Sequence, residues 1–411
     1  MLHPTARLKV ISRVKTLVLK HHFNIGNVDY AEWSKAVDEQ GPAIIEGDDE
    51  TFENGVRDLL SKLKSSHTNF FRSDTNPTKP QHAIGATLRS VTRNGAQQWM
   101  FLDVYDNGPA ACAGITPGQF LIGVNGTPAT PPAFPTFRFG EDHTLSVEIP
   151  NQTEHRDMVV TVPQRKGTKR RPPLVEPQSV SHRMVSPRVG LLRIPFFSGA
   201  FGIRFSQLLD AAVESLKAQD CDRLIIDLRG CLGGSLGFAR LVSYLCPGRI
   251  PIGYDITRKR LRHGYNVAEL PRVPMPHTRI GVLFCLARLS VQDKSLVLLT
   301  QGLGKQPFHG RVAVLVNEWT NSAGEMAAQF AKDMKLATVI GQKTMGNVLG
   351  STMLNVGNGY TLYLPIFGWY GPDGNYSEGS GVQPDVLIDI DPDSLAQGDD
   401  AQLSKALQIL Q

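Results

Sequence analysis

Arg311-Val-Ala-Val-Leu-Val-Asn-Glu-Trp-Thr-Asn-Ser-Ala-Gly-Glu325 is the stretch on which the reading of this chain turns. Val312 to Val316 is a short apolar run rich in β-branched residues, which predicts a buried strand. Asn317 to Asn321 is a polar turn, and Ser322 opens a helix through Met326, Ala327, Phe330, Ala331 and Met334. A sharp strand-to-helix turn holds its corner residue out toward solvent. The amides that follow sit at a helix N-terminus, where N–H groups lack partners and favour negative charge. A serine at such a corner can act as a nucleophile, with the next amide (Ala323) in an oxyanion hole. The same four residues, Ser322-Ala-Gly-Glu325, also fit a capping box, in which Ser and Glu satisfy helix-end amides and nothing more.

The 411 residues suffice for two or three domains. At 41% hydrophobic and 20% charged residues the composition is that of a globular protein. A net charge of +5, without a long basic patch interleaved with aromatics, argues against nucleic-acid binding. Five widely spaced cysteines without a CxxC argue against a disulfide framework or a zinc site. No segment has the roughly 20 apolar residues that span a bilayer, so no membrane span is expected. The first residues lack a signal-peptide apolar core, from which a cytoplasmic location is expected.

Residues 5 to 67 read as helical, with Phe52, Val56, Leu59, Leu60 and Leu63 as the apolar stripe of the last helix. His67 stands where that helix gives way to a loop; such a histidine is either a general base or an ordinary surface or capping residue. From about 76 the texture turns to short strands: Ile84–Val91, Gln98–Tyr105, His143–Ile149 and Met158–Val162. Between them, "GPAACAGITPGQFLIGVNG" (108–126) resembles the PDZ pattern "SPAAxAGIxPGDxIxxVNG". The resemblance covers about 80–165 and implies a unit that binds extended peptides by strand addition. The usual Gly-Leu-Gly-Phe loop is replaced by Pro80-Gln-His-Ala-Ile-Gly85. Residues 164–176 form a basic, proline-containing linker.

Strands and helices then alternate, which predicts an α/β core. Val189–Ile194, Leu224–Asp227, Ile280–Phe284, Val312–Val316 and Thr338–Ile340 read as strands, and Arg204–Gln219 and Ala401–Leu410 as amphipathic helices. Asp227-Leu-Arg-Gly-Cys-Leu-Gly-Gly234 predicts a strand ending in a Gly-Gly turn at the mouth of a helix that opens at Gly233. That turn reads as a second oxyanion donor or as a phosphate loop, although neither nucleotide-binding spacing is present.

Taken together, these segments resemble the C-terminal processing (tail-specific) serine proteases and the catalytic core of tricorn protease. "DLRGCLGG" is similar to the family's "DLRxNxGG", "TNSAGEMAAQFAKDMKLATVIGQKTMGN" (320–347) to "TxSASEIxAxALxDxxRAxxxGxxTxGK", and "EGSGVQPDV" (378–386) to "xGxGVxPDI". One branch pairs its serine with the lysine ending "TxGK". Asn347 occupies that position here, and Lys343 lies four residues early. The tricorn-like branch uses a histidine of the helical domain and a glutamate just before "GVxPD". The resemblance therefore implies Ser322 as nucleophile, His67 as general base, and Glu378 with Ser66 orienting it. Ala323 with Gly233 and Gly234 would form the oxyanion hole, and Asp385 and Glu325 are rival carboxylates. Cys231 replaces the family's Asn.

The implied fold is an α/β crotonase-like (ClpP/crotonase) spiral core with a helical N-terminal domain and a β-rich PDZ domain. The implied division is 1–75 helical domain, 76–165 PDZ domain, 166–176 linker and 177–411 protease core. The implied function is metal-independent, cofactor-free serine endopeptidase action on extended or unfolded polypeptides, with the PDZ unit binding or gating substrate. Homo-oligomerisation occurs in the family. The alternatives are a non-hydrolytic ligand-binding protein on the same scaffold and a PDZ adaptor with a structural core.

Overall fold

In the computed structural model, Val312–Val316 is buried along its whole length and has parallel neighbours on both sides. A strand covered on both faces must be apolar on both, which is why this run does not alternate. Val312, Val314 and Val316 face a large core shared with Phe205, Leu209, Ala323 and Phe330; Ala313 and Leu315 face a smaller one closed by Ala406 and Leu410. The structure describes the chain except residues 1, 24–25, 27, 73–77, 94, 151–154, 165–173, 200, 277, 279, 284–294, 305–307 and 309–310.

The sheet built on this strand runs Val386–Leu387, Thr338–Gly341, Val312–Val316, Arg223–Asp227, Val189–Arg193, Ser181–Ser186. All its pairings are parallel but the last. The helices Ile203–Lys217 and Ala323–Asp333 lie between its parallel strands in sequence. A second six-stranded sheet joins distant parts of the chain. Tyr360–Tyr370 at its middle pairs antiparallel with Asn69–Arg72, Gly350–Gly357 and Pro251–Thr257. Leu296–Leu299 and Arg272–Pro274 extend it.

Three helices, Pro4–His21, Tyr30–Glu46 and Asp49–Ser61, precede that sheet. Asp29 accepts from the Ala31 and Glu32 amides and Asp48 from Thr51, so the second and third start on ordinary caps. Their apolar stripes close over Phe70, Tyr360 and Leu362 of the second sheet. A third sheet, ordered Ala86–Arg93, Ala96–Val104, Phe120–Val124, Asp142–Glu148, His155–Thr161, covers the expected β-rich stretch. One of its faces, with Met100, Leu102 and Phe120, packs on Trp319, Ile390 and Leu395.

Two expectations are corrected. Ile280–Phe284 is not a strand: 280–283 are helical, and Phe284 lies outside the described residues. Ile280 and Leu283 are largely exposed while Val282 is buried, the one-sided burial of a helix. The helix expected to open at Gly233 begins at Phe238. Gly233 and Gly234 have φ of +83° and +131°, outside the helical range, so the chain turns there before the helix starts. Of the linker, 165–173 lie outside the described residues, while Val175 packs on the third sheet's core.

Candidate active site

Ser322 sits on the corner between Val312–Val316 and Ala323–Asp333, with φ 52° and ψ −116°. A positive φ in a residue bearing a Cβ costs on the order of 1–3 kcal/mol and persists only where the surroundings impose it. Two neighbours do so. Glu325, wholly buried, accepts a hydrogen bond from the Ser322 amide at 3.0 Å. Gly233 lies flush against the serine: a Cβ built there would meet Ser322 Cβ at 2.6 Å and Oγ at 3.3 Å. The glycine is therefore required twice, by its own φ and by the approach of the Ser322 corner. Ala323 is the first residue of the helix, where an amide has no intrahelical acceptor.

Glu325 does more than cap. Besides the Ser322 amide it accepts from Thr344 Oγ1 at 2.6 Å, Gly346 N at 2.6 Å and Asn347 N at 2.8 Å. Burial raises its pKa, against these four donors. The next amide along the strap, Val348 N, donates to Glu378 Oε2 at 2.8 Å. The other oxygen of Glu378 accepts from the Ser66 amide at 3.1 Å, and Ser66 Oγ lies 2.8 Å from His67 Nδ1. Residues 346–348 thus connect two clusters. One holds Ser322 through Glu325; the other holds His67 through Glu378 and Ser66.

The loop carrying His67 follows the helix Asp49–Ser61. Lys64 and His67 adopt φ of 48° and 55°. His22, fully buried, supports it from behind: Nδ1 meets Tyr30 Oη and Nε2 meets Ser65 Oγ, each at 2.8 Å. Ser65 Oγ in turn meets Thr68 Oγ1 at 2.8 Å. The His67 ring lies beside Tyr363 of the second sheet, 6.0 Å between centroids. Burial pushes the His67 imidazole down to about 4, which keeps it neutral at pH 7. With Nδ1 facing Ser66, Nε2 is the atom left for a proton from outside.

The structure thus brings Ser66, His67 and Glu378 together, and Ser322 with Gly233. Glu378 reaches the histidine through the Ser66 peptide, not by a carboxylate–imidazole bond. Among the described residues no hydrogen bond joins Ser322 Oγ to His67; such bonds are often long in resting enzymes and tighten with substrate. Asp385 accepts from Val339 N and pairs with Lys332, away from the histidine loop. Asn347 turns its amide to Glu325, and Lys343 is exposed. Cys231 is buried; desolvation pushes its thiol up to about 12, although the Gly233 amide pulls the other way. It packs against Gly324, inert at neutral pH. Among the described residues no group of three or more His, Cys, Asp or Glu could hold a metal, and no helix is long and apolar enough to cross a membrane.

Sequence reasoning missed His22, Ser65 and Tyr30, since a histidine at a helix end carries no local mark of its partners. It saw Glu325 as a cap and a rival acid, yet not as the hub of the 344–347 strap.

The fold is similar to that of solved proteases. The structure of the photosystem II D1 C-terminal processing protease superimposes with a TM-score of 0.59 at 16% identity, over 99% of this chain and 97% of that one. In sequence, the tricorn protease homolog 2 of Streptomyces coelicolor is 24% identical over 92% of this chain and 30% of its own length. A CtpA-like serine protease of Staphylococcus aureus is 23% identical over 90% of this chain and 64% of its own. The chain therefore spans under two thirds of the length of these relatives. Residues 188–388 match the model of Peptidase family S41. The matched segment contains Ser322, Gly233 and Glu378 but begins well after His67.

Proposed function

We propose that this chain is a serine endopeptidase that hydrolyses extended or unfolded polypeptides through an acyl-enzyme. Ser322 Oγ attacks the scissile carbonyl. His67 Nε2 takes its proton and returns it to the leaving amine, and Ser66 and Glu378 hold the ring in the tautomer that leaves Nε2 free. Ala323 N with an amide of the Gly233-Gly234 turn stabilises the oxyanion, each donor being worth about 3 kcal/mol of barrier. No step calls on a metal or cofactor.

The observation that carries this reading is the 346–348 strap. Three successive amides tie the glutamate beneath Ser322 to the glutamate behind His67. A scaffold that only bound peptides would have no reason to tie a strained serine and a neutral, half-buried histidine to one segment through their glutamates. We further propose the division into a helical domain to about 75, a PDZ domain over 76–165 and a crotonase-like core from 177. In this division the PDZ domain binds substrate as an added strand or gates its entry.

The test is cleavage of an unfolded polypeptide by wild type and Ser322→Ala. The reading expects time-dependent fragments with wild type and none with the variant. Equal behaviour of the two folded proteins contradicts it and favours a binding protein on the same scaffold.

A further inference from the structure

The β-rich unit reaches the active-site turns through one buried contact that the mechanism above leaves unused. Asn317 ends the strand Val312–Val316 and is wholly buried. Its Oδ1 accepts from the Gly230 and Trp319 amides, each at 3.0 Å. Its Nδ2 donates to both carboxylate oxygens of Asp103, at 3.1 and 3.0 Å. Asp103 lies in the third sheet, 5% exposed, and also accepts from Thr87 Oγ1 at 2.5 Å. The Gly230 carbonyl is taken by Tyr105 Oη, from the same sheet, at 2.8 Å. The Gly230 peptide is thus held at both ends, its N–H through Asn317 and its C=O by Tyr105. There is no slack: a Cβ on Gly230 would meet Asp103 Cγ and Oδ2 at 2.8 Å.

What Gly230 controls is close at hand. The next residue, Cys231, offers its carbonyl to Asn321 N at 2.9 Å, and Asn321 immediately precedes the serine. Two residues further, Gly233 abuts Ser322. Thr320 Oγ1 closes the same knot, donating to Leu228 O at 2.8 Å and accepting from Asn317 N at 3.0 Å. One side-chain amide therefore ties the turn bearing the oxyanion glycines to the turn bearing the nucleophile, and Asp103 fixes its orientation. The side-chain groups that meet the carboxylate, Asn317 Nδ2 and Thr87 Oγ1, are donors, so an acceptor-only side chain suits the site and an amide does not. Met100, Leu102, Phe120 and Trp319 pack in the adjoining interface, where a direct hydrogen bond is not exchanged freely with water.

We propose that Asp103 and Asn317 form a positioning pair, through which the β-rich unit sets the spacing between Ser322 and the Gly233-Gly234 turn. That unit is then part of the catalytic framework and not only a recognition module. The inference rests on the proposed peptidase reading and has a readout that does not.

The experiment compares wild type with Asp103→Ala, Asp103→Asn, Asn317→Ala and the exchanged pair Asp103→Asn/Asn317→Asp, each checked for folding by thermal melting. Fluorophosphonate labelling rate, kcat and KM on a short peptide, and hydrogen exchange of segment 228–234 are measured well below the melting temperature. Expected for Asp103→Ala and Asn317→Ala are labelling and kcat lowered at least tenfold with KM little changed, and faster exchange at 228–234. In the exchanged pair the amide at 103 donates to the carboxylate at 317, which still accepts from Gly230 and Trp319. Labelling should then return to within a few-fold of wild type, while Asp103→Asn alone stays impaired. Folded Asp103→Ala with wild-type labelling or wild-type exchange at 228–234 overturns the pair, as does an exchanged pair no better than the single variants. If wild type itself does not label, the peptidase reading fails, and the exchange data alone decide whether Asp103 holds the turn.

Discussion

The serine corner and the histidine loop reach their geometries by different routes. Ser322 is fixed mostly by its own neighbourhood in sequence: a buried strand on one side, a helix on the other, and Glu325 three residues on. Gly233 comes from elsewhere, as do the 344–347 donors that hold Glu325 and the Cys231 carbonyl that takes the Asn321 amide. His67 is fixed by residues far along the chain. Glu378 holds the Ser66 amide across 312 positions, His22 holds Ser65 across 43, and the ring rests beside Tyr363. The corner is thus a local motif and the loop a product of tertiary assembly. A serine corner can be inherited with one segment, whereas the histidine loop depends on the whole molecule closing correctly.

Breaking either half tests that contrast. The largest expected effect is His67→Ala, which should lower kcat/KM on an unfolded polypeptide by about 10⁴-fold or more, by analogy with base removal in other triads. Near-normal turnover would remove His67 from the mechanism. Next is Gly233→Ala, where the new Cβ collides with Ser322 and takes on an unfavourable φ. A loss on the order of 10²–10³ in kcat is expected, comparable to losing an oxyanion donor, with a smaller change in KM. Glu378→Gln then puts an amide group where two N–H donors need acceptors. At about 1–3 kcal/mol for an unsatisfied buried group, kcat/KM should fall about 5- to 150-fold, in parallel with Ser66→Ala. If Ser66→Ala is silent while Glu378→Gln is not, the glutamate acts by another path. The smallest effect is expected of Lys343→Ala, an exposed side chain, within about twofold of wild type. A large loss there would restore a serine–lysine design.

The loop's burial also has a pH signature. His22, His67 and His82 are each lowered from 6.5 to about 4, chiefly by burial, with Arg258 and Lys79 adding to it at His22 and His82. The unfolded chain binds their protons first, so this stability is fully present above pH 6.5 and lost as pH falls toward 4. Burial raises the Asp255 carboxyl to about 8, so that group works the other way. The histidine contribution is therefore read as a difference: from pH 7 to 4 the unfolding free energy should fall more steeply in wild type than in His82→Gln. Equal profiles would show that His82 is not shifted.

The contrast also explains what the sequence could disclose. The corner was readable because β-branched runs, capping residues and helical spacing are local signals. The N-terminal helices and the strands of the β-rich unit were readable for the same reason. Ile280–Phe284 misled because an apolar run has no fixed period at that length, and 280–283 turned out helical, with Ile280 and Leu283 exposed and Val282 buried. Gly233-Gly234 misled because glycine pairs mark both helix mouths and left-handed turns, and φ decides between them. His22 behind the base, the strap 346–348 and the Asp103–Asn317 contact were not legible at all. Each depends on which residues meet across more than 20 positions, and no local pattern encodes that.

The central claim is that Ser322 is a nucleophile activated by a distant imidazole. Treating the folded protein with a fluorophosphonate and mapping the adduct by mass spectrometry tests it most directly. The account predicts one modified residue, Ser322, with the rate falling by orders of magnitude in His67→Ala. A folded wild-type protein that takes up no probe, or takes it up elsewhere, would contradict it.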